Sequence, residues 1–365
     1  MVTSSASRPT AVLDNSVFFK KSAFFKLWLF VTILLIHAMN YEAYGLREAE
    51  GAAAALLYFI EILIFKLSWL AVVTYYFLSG YSFMLGFELS KTVDKLRRRI
   101  WSLLIPWILW NTIMWLFGIA VESIPALSQH LNSGFGYELS LASWVRDGLL
   151  RPADDPFWFM SNLIVMMLLS PLVYLLVKNR YIGVLAIVAN FAAIYITEAS
   201  RYSVLMTLVF FMQSAYFATH LRHLVRARYG WLPRLIAGVL LVSVVLFVLE
   251  SAIYESGIFF ALSFSISVPA LWVVFGDVSL GSFGRKAEKY RFWLYASHYL
   301  PLECVEKLWL IVGGVSVGTA WAGMIICPAL TIVLLVAASM LLERLCYPFW
   351  CLLNGKKPTR RTKTA

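Results

Sequence analysis

Long apolar blocks dominate this chain and leave few folds open to it. A helix that crosses a bilayer core takes roughly 20 mostly apolar residues. About ten segments qualify: Ser22–Met39, Trp69–Phe87, Ile100–Val121, Phe157–Val177, Tyr181–Thr197, Ser203–Leu221, Trp231–Leu249, Gly257–Gly276, Phe292–Val312 and Thr319–Leu342. One more stretch, Ala52–Phe65, is shorter and carries Glu61, and it reads as an interfacial or re-entrant helix. In lipid every backbone polar group must be bonded internally, so apolar blocks of this length fold as helices. The expected fold is an all-α polytopic membrane helix bundle with about ten transmembrane helices. A hydrophobic content of 61% and a mean hydropathy of +0.76 exclude a soluble globule of this size.

Charge placement orients the bundle, because Lys and Arg collect on the cytoplasmic side. With both termini cytoplasmic, the inner segments hold Lys20 and Lys21, the run from Lys91 to Arg99, then Lys178 and Arg180, Arg222 to Arg234, Arg285 to Arg291, and the tail GKKPTRRTKTA. The longest outer loop, residues 122–156, is acidic. The net charge of +11 is then mostly topology, and no aromatic-basic motif points to nucleic acid. The organisation expected is a cytoplasmic tail over residues 1–20, one transmembrane domain over 21–343, and a basic cytoplasmic tail over 344–365. The polar first 20 residues argue against a cleavable signal peptide. Cys304, Cys327, Cys346 and Cys351 have no CxxC spacing, so neither disulfides nor a metal site is expected.

Chemistry must then lie inside the bundle, where each ionisable group costs about 2.5–3.5 kcal/mol at a helix centre and marks a functional position by default. Lys26 and His37 bracket the stretch KLWLFVTILLIH. Eleven positions is close to three helical turns, so both share one face, about 16 Å apart along the axis. A lysine near a helix start often only snorkels to the interface. A buried histidine suits general base work, because its ordinary pKa lies near neutrality. Arg97, Arg98 and Arg99 lead into an apolar helix, and guanidinium groups at a helix N-terminus suit phosphate; anionic lipid headgroups are the plainer ligand. Trp158 fits an interfacial aromatic belt. In FWLYASHYLPLECVEKLWL, Tyr295 and His298 share a face, whereas Glu303 and Lys307, four apart, could simply neutralise each other. The Ser79-Gly80 pair allows close helix packing or a break.

Taken in order, these residues resemble the membrane acyltransferase-3 family of multi-pass glycan and lipid O-acyltransferases. The resemblance rests on Lys26-x10-His37, YYFLSGY, KLRRRIWSLLIPW, FWFM and the late pair Tyr295 and His298, and it runs through almost the whole chain. YYFLSGY departs from the family pattern in having Tyr75 and Tyr76 in place of phenylalanines, which touches the acceptor more than the family. The resemblance implies an acyl-CoA donor, acetyl-CoA first, with no metal. Lys26, Arg97, Arg98 and Arg99 would meet its phosphates. His37 would act as general base or acyl carrier, with His298 orienting the acceptor or supporting His37. Tyr295, Trp158 and Glu303 would lie on the acceptor side. The acceptor would be a surface or lipid-linked glycan, and the location a bacterial inner membrane; a homo-oligomer stays open.

Three other readings remain. A transporter or flippase also uses buried Lys, His and Glu. The other membrane-bound O-acyltransferase superfamily would place its histidine at His298. A polysaccharide-assembly partner without catalysis would tolerate substitution at Lys26 and His37. The spacing of His220 and His223 would suit a metal, but they stand in a basic loop.

Overall fold

A computed structural model of the chain describes residues 15–39, 41–124 and 136–358. Among these every regular element is helical. The long helices are α1 (Ser16–His37), α2 (Ala52–Met84), α3 (Leu89–Glu122), α4 (Asp155–Val177), α5 (Arg180–Ile196), α6 (Val204–His220), α7 (Trp231–Leu249), α8 (Gly257–Val274), α9 (Arg291–Ser297), α10 (Tyr299–Gly313) and α11 (Val317–Leu345). A short α12 (Tyr347–Leu353) lies within the segment expected as a tail. Its Trp350 is buried and donates to Ser339 Oγ at 2.8 Å, while Trp110 of α3 donates to the Leu353 carbonyl.

Six of these helices, α2, α3, α4, α7, α8 and α11, are long and apolar enough to cross a membrane by length and composition. The others miss that standard for visible reasons. α1 carries Lys20, Lys21 and Lys26, α5 and α6 are 17 residues long, and α9 and α10 are two pieces. α7 exposes Leu235, Val239, Val242 and Leu246 along its length. An outward apolar surface of that kind belongs in lipid.

Three expectations are corrected. Ala52–Phe65 is no separate interfacial helix; it is the first half of the 33-residue α2. Glu61 and Lys66 made it look like a boundary, yet both are buried. Lys66 donates to the Leu249 carbonyl and sits over the Tyr254 ring at 5.3 Å, so protein rather than water satisfies it. Phe292–Val312 is broken at His298, because Pro301 has no N–H for the Ser297 carbonyl and its ring crowds that carbonyl. Arg97, Arg98 and Arg99 do not stand at a helix N-terminus. They lie about two and a half turns inside a continuous 34-residue helix whose next turn, Ile100–Leu104, is a π-type turn just before Pro106. Their backbone N–H groups are bonded within the helix, so terminal positive potential is absent there.

Two large buried cores and a small third one, of Tyr44, Leu46, Leu57 and Ala320, organise the described residues. The first gathers α2, α4, α6 and α8 around Tyr81, Met166, Phe211 and Phe260. The second gathers α9, α10, α11 and α12 with Trp110, Phe157 and Met160. α1 belongs to both large cores: Phe18, Phe25, Leu29 and Ile33 enter the first, Phe30, Leu34 and Ala38 the second. It is the seam of the molecule. Gly80 sets the closest approach within the first core. A Cβ there would meet Ser214 Oγ and, at 2.9 Å, the Phe211 ring. Gly80→Ala is therefore expected to cost about 1–3 kcal/mol by overpacking, seen as a lower thermal transition of the detergent-solubilised protein.

Candidate functional site

The seam is not closed. A cavity of about 700 Å³ opens beside α1 and is lined from that helix by Lys26, Ile33, Ile36 and His37. Its volume is ordinary for a small-molecule site. The spacing on α1 is the cause: positions 26, 33 and 37 repeat on one stripe, which borders the first core at Ile33 and lies between the stripes that feed the two cores. Opposite stand Tyr75 and Ser79 of α2, Ser102 of α3, Trp158 of α4, and Arg291 and Tyr295 of α9.

At the Lys26 end, the charges close enough to act on the ammonium are Arg291, Arg99 and Glu288. Arg291 donates to Glu288 at 2.8 Å, which compensates one arginine. Among the described residues Lys26 and Arg99 have no carboxylate at ion-pair distance. Arg99 instead lies over the Phe83 ring at 5.4 Å. The Tyr75 hydroxyl donates to the Lys26 carbonyl, bracing α1 against α2. The Lys26 end thus carries uncompensated positive charge. Arg97 and Arg98 are exposed and do not line the cavity.

At the other end the His37 ring meets His298, with centroids 5.2 Å apart, and Tyr299 edge-on at the same distance. The break between α9 and α10 puts His298 there, fully buried. His298 Nδ1 lies 2.8 Å from the Tyr295 carbonyl. A carbonyl only accepts, so in the neutral ring Nδ1 carries the proton and Nε2 is an acceptor. Nε2 has no hydrogen-bond partner among the described residues. Tyr295 is itself fixed: its hydroxyl donates to the Pro156 carbonyl at 2.9 Å, and its ring stacks on Phe157. Trp158 lines the cavity and packs on Trp69 and Tyr202 at 5.6 and 5.0 Å.

Of the residues singled out from sequence, Lys26, His37, Trp158 and Tyr295 share the cavity lining, and His298 stands behind His37. Glu303, on α10, does not line it, and forms no ion pair with Lys307. Arg291 and Ser102 were missed as site residues, and Tyr75 was noted only within the YYFLSGY signature. Arg291 had been counted only as an inner-side charge, and no local pattern marks Ser102. No group of three metal-ligating side chains occurs among the described residues, and His220 is engaged with the Val177 carbonyl at 2.7 Å.

A chain whose described regular elements are all helical and whose outer surfaces are apolar is a membrane protein, and here a lysine and a histidine line an internal cavity with a second histidine behind. A family model described as an acyltransferase domain, the acyltransferase-3 family, matches residues 23–342. The chain belongs to that family and is a membrane acyltransferase. Neither a curated protein nor a solved structure matches it.

Proposed function

We propose that the protein moves an acetyl group from cytoplasmic acetyl-CoA to a hydroxyl of a surface or lipid-linked glycan, with His37 as general base. The observation that carries this reading is that Lys26 and His37 line one cavity from one face of α1. The roughly 16 Å between them along the helix suits a phosphate-bearing head at one end and a thioester at the other. Lys26, with Arg99 and Arg291 nearby, takes the CoA phosphates; exposed Arg97 and Arg98 extend the positive surface towards the cytoplasm. The acceptor hydroxyl attacks the thioester carbonyl while His37 removes its proton. The C–S bond then breaks, and the imidazolium returns the proton to the CoA thiolate. His37 would donate its single N–H to His298 Nε2, which leaves its other nitrogen free as base. Trp158 and Tyr295 flank the acceptor, with Glu303 further out. In this reading the bundle spans the membrane ten times with both termini cytoplasmic, in a bacterial inner membrane.

The test is labelled acetyl-CoA supplied to inverted membrane vesicles. Label in a glycan fraction that depends on His37 supports the reading. No label with any acyl-CoA, despite endogenous acceptor, favours the transporter or assembly-partner alternative. His298 is a positioning residue here. His298→Ala is expected to lower kcat about tenfold, the value of one lost hydrogen bond to a charged transition state. The KM for acetyl-CoA should hold, and His298→Gln, which keeps an acceptor, should recover part of kcat.

A further inference from the structure

A second cavity, of about 600 Å³, lies beyond the His37 end of α1. Its wall is built from the end of α1, the turn after it, the first half of α2, and the short helix Ser251–Glu255. Ile36 and Phe65 line both cavities. Ile36 directly precedes His37 in the chain, so the second space adjoins the first beside the His37 ring. The first half of α2 reaches this position only because α2 is continuous.

We propose that this second cavity is an outer acceptor subsite, for the sugar next to the one whose hydroxyl lies beside Trp158 and Tyr295, and that it takes a neutral pyranose unit, an inference that rests on the acyltransferase reading for its role but not for its binding. Three features carry it. Charge comes first. The lining holds Glu42 and Glu255 against Arg47 and Lys66, two of each sign. Two of these four are already engaged: Glu255 pairs with Arg201, and Lys66 is held by the Leu249 carbonyl. The lining's own charges sum to zero, in contrast to the Lys26 end.

Aromatic surface comes second. Tyr41 and Tyr58 meet edge to face with centroids 5.4 Å apart, and both are partly exposed to the cavity. A sugar ring has a C–H face, which packs on an aromatic ring, and a rim of hydroxyls, which need donors and acceptors. Tyr58 and Tyr41 supply the face, and Glu42, exposed on the turn, supplies a charged acceptor for the rim. Proximity is the third feature: Ile36 and Phe65 line both cavities, so a ring seated against Tyr58 and a neighbouring unit beside His37 would lie on the two sides of the same pair of side chains.

Binding is testable without turnover. The protein is placed in phosphatidylcholine nanodiscs, and saturation-transfer NMR is recorded with the methyl glycosides of glucose, galactose and N-acetylglucosamine, and with methyl glucuronide. Expected is transfer to the ring C–H protons of at least one neutral glycoside, with the glucuronide weaker. Tyr58→Leu, which keeps apolar volume but removes the ring face, should weaken binding about five- to tenfold. Glu42→Gln, an exposed side chain on a turn whose Tyr44 and Leu46 carry the packing, should weaken it about threefold. Three results overturn the proposal: no transfer to any neutral glycoside, transfer indifferent to both variants, or stronger binding of the glucuronide. An absence of acetyl transfer in vesicles would sink the acyltransferase reading and leave these binding results as they stand.

Discussion

His37→Ala is expected to lower acetyl transfer by about 10²- to 10⁴-fold, the range that a positioned general base contributes. The loss should fall on kcat. His37 touches the rings of His298 and Tyr299 at the far end of the cavity from Lys26, so the KM for acetyl-CoA should stay within a factor of about two to three. Folding should survive, because the side chain faces an existing cavity rather than a packed core, so its removal enlarges a space that is already open. The measurement is an initial-rate series in vesicles with protein level matched. If His37→Ala keeps its rate while His298→Ala loses it, His298 is the base and the mechanism belongs to the alternative reading of a single late histidine. If both keep their rates, the cavity is not where acyl transfer occurs.

How much of this was legible in the chain depended on sequence distance. The helical class and the shared face of Lys26 and His37 follow from periodicity within α1, and the structure places both side chains in one cavity. The break at His298 was half visible. Pro301 is plain in the sequence, but a proline in an apolar run either kinks a span or splits it, and the neighbouring packing decides which. The continuity of α2 was not legible. Glu61 and Lys66 look like the polar end of a span until Lys66 finds the Leu249 carbonyl and the Tyr254 ring, which stand far along the chain. The reading of Arg97 to Arg99 at a helix start failed for a local reason. An arginine run before a proline resembles a helix N-terminus, yet a π-type turn carries the helix through Pro106 unbroken. Arg291 and Tyr75 could not be assigned to the site, because what makes them relevant is proximity to Lys26 from other helices.

Lys26→Gln is expected to raise the KM for acetyl-CoA about 10- to 100-fold with kcat little changed, the size of a lost hydrogen bond between charged partners. The argument is electrostatic. Arg291 is compensated by Glu288, whereas Lys26 and Arg99 have no carboxylate at ion-pair distance among the described residues. A cationic group held away from water without an anion is unfavourable, so an anionic ligand that fills the space gains what the apo site lacks. Lys26→Arg keeps the charge and should recover most of the affinity. A purely structural role for Lys26 would also disturb donor binding, so the decisive comparison uses acetyl-pantetheine, which keeps the thioester and has no phosphates. If Lys26 meets phosphate, wild type should lose affinity on the change of donor, while Lys26→Gln binds acetyl-pantetheine as well as wild type does. The two changes then fail to add, as expected for partners in one contact. If instead the substitution weakens both donors equally, the Lys26 side chain only shapes the cavity wall, and the phosphates are held by Arg99 and the arginines exposed beyond it.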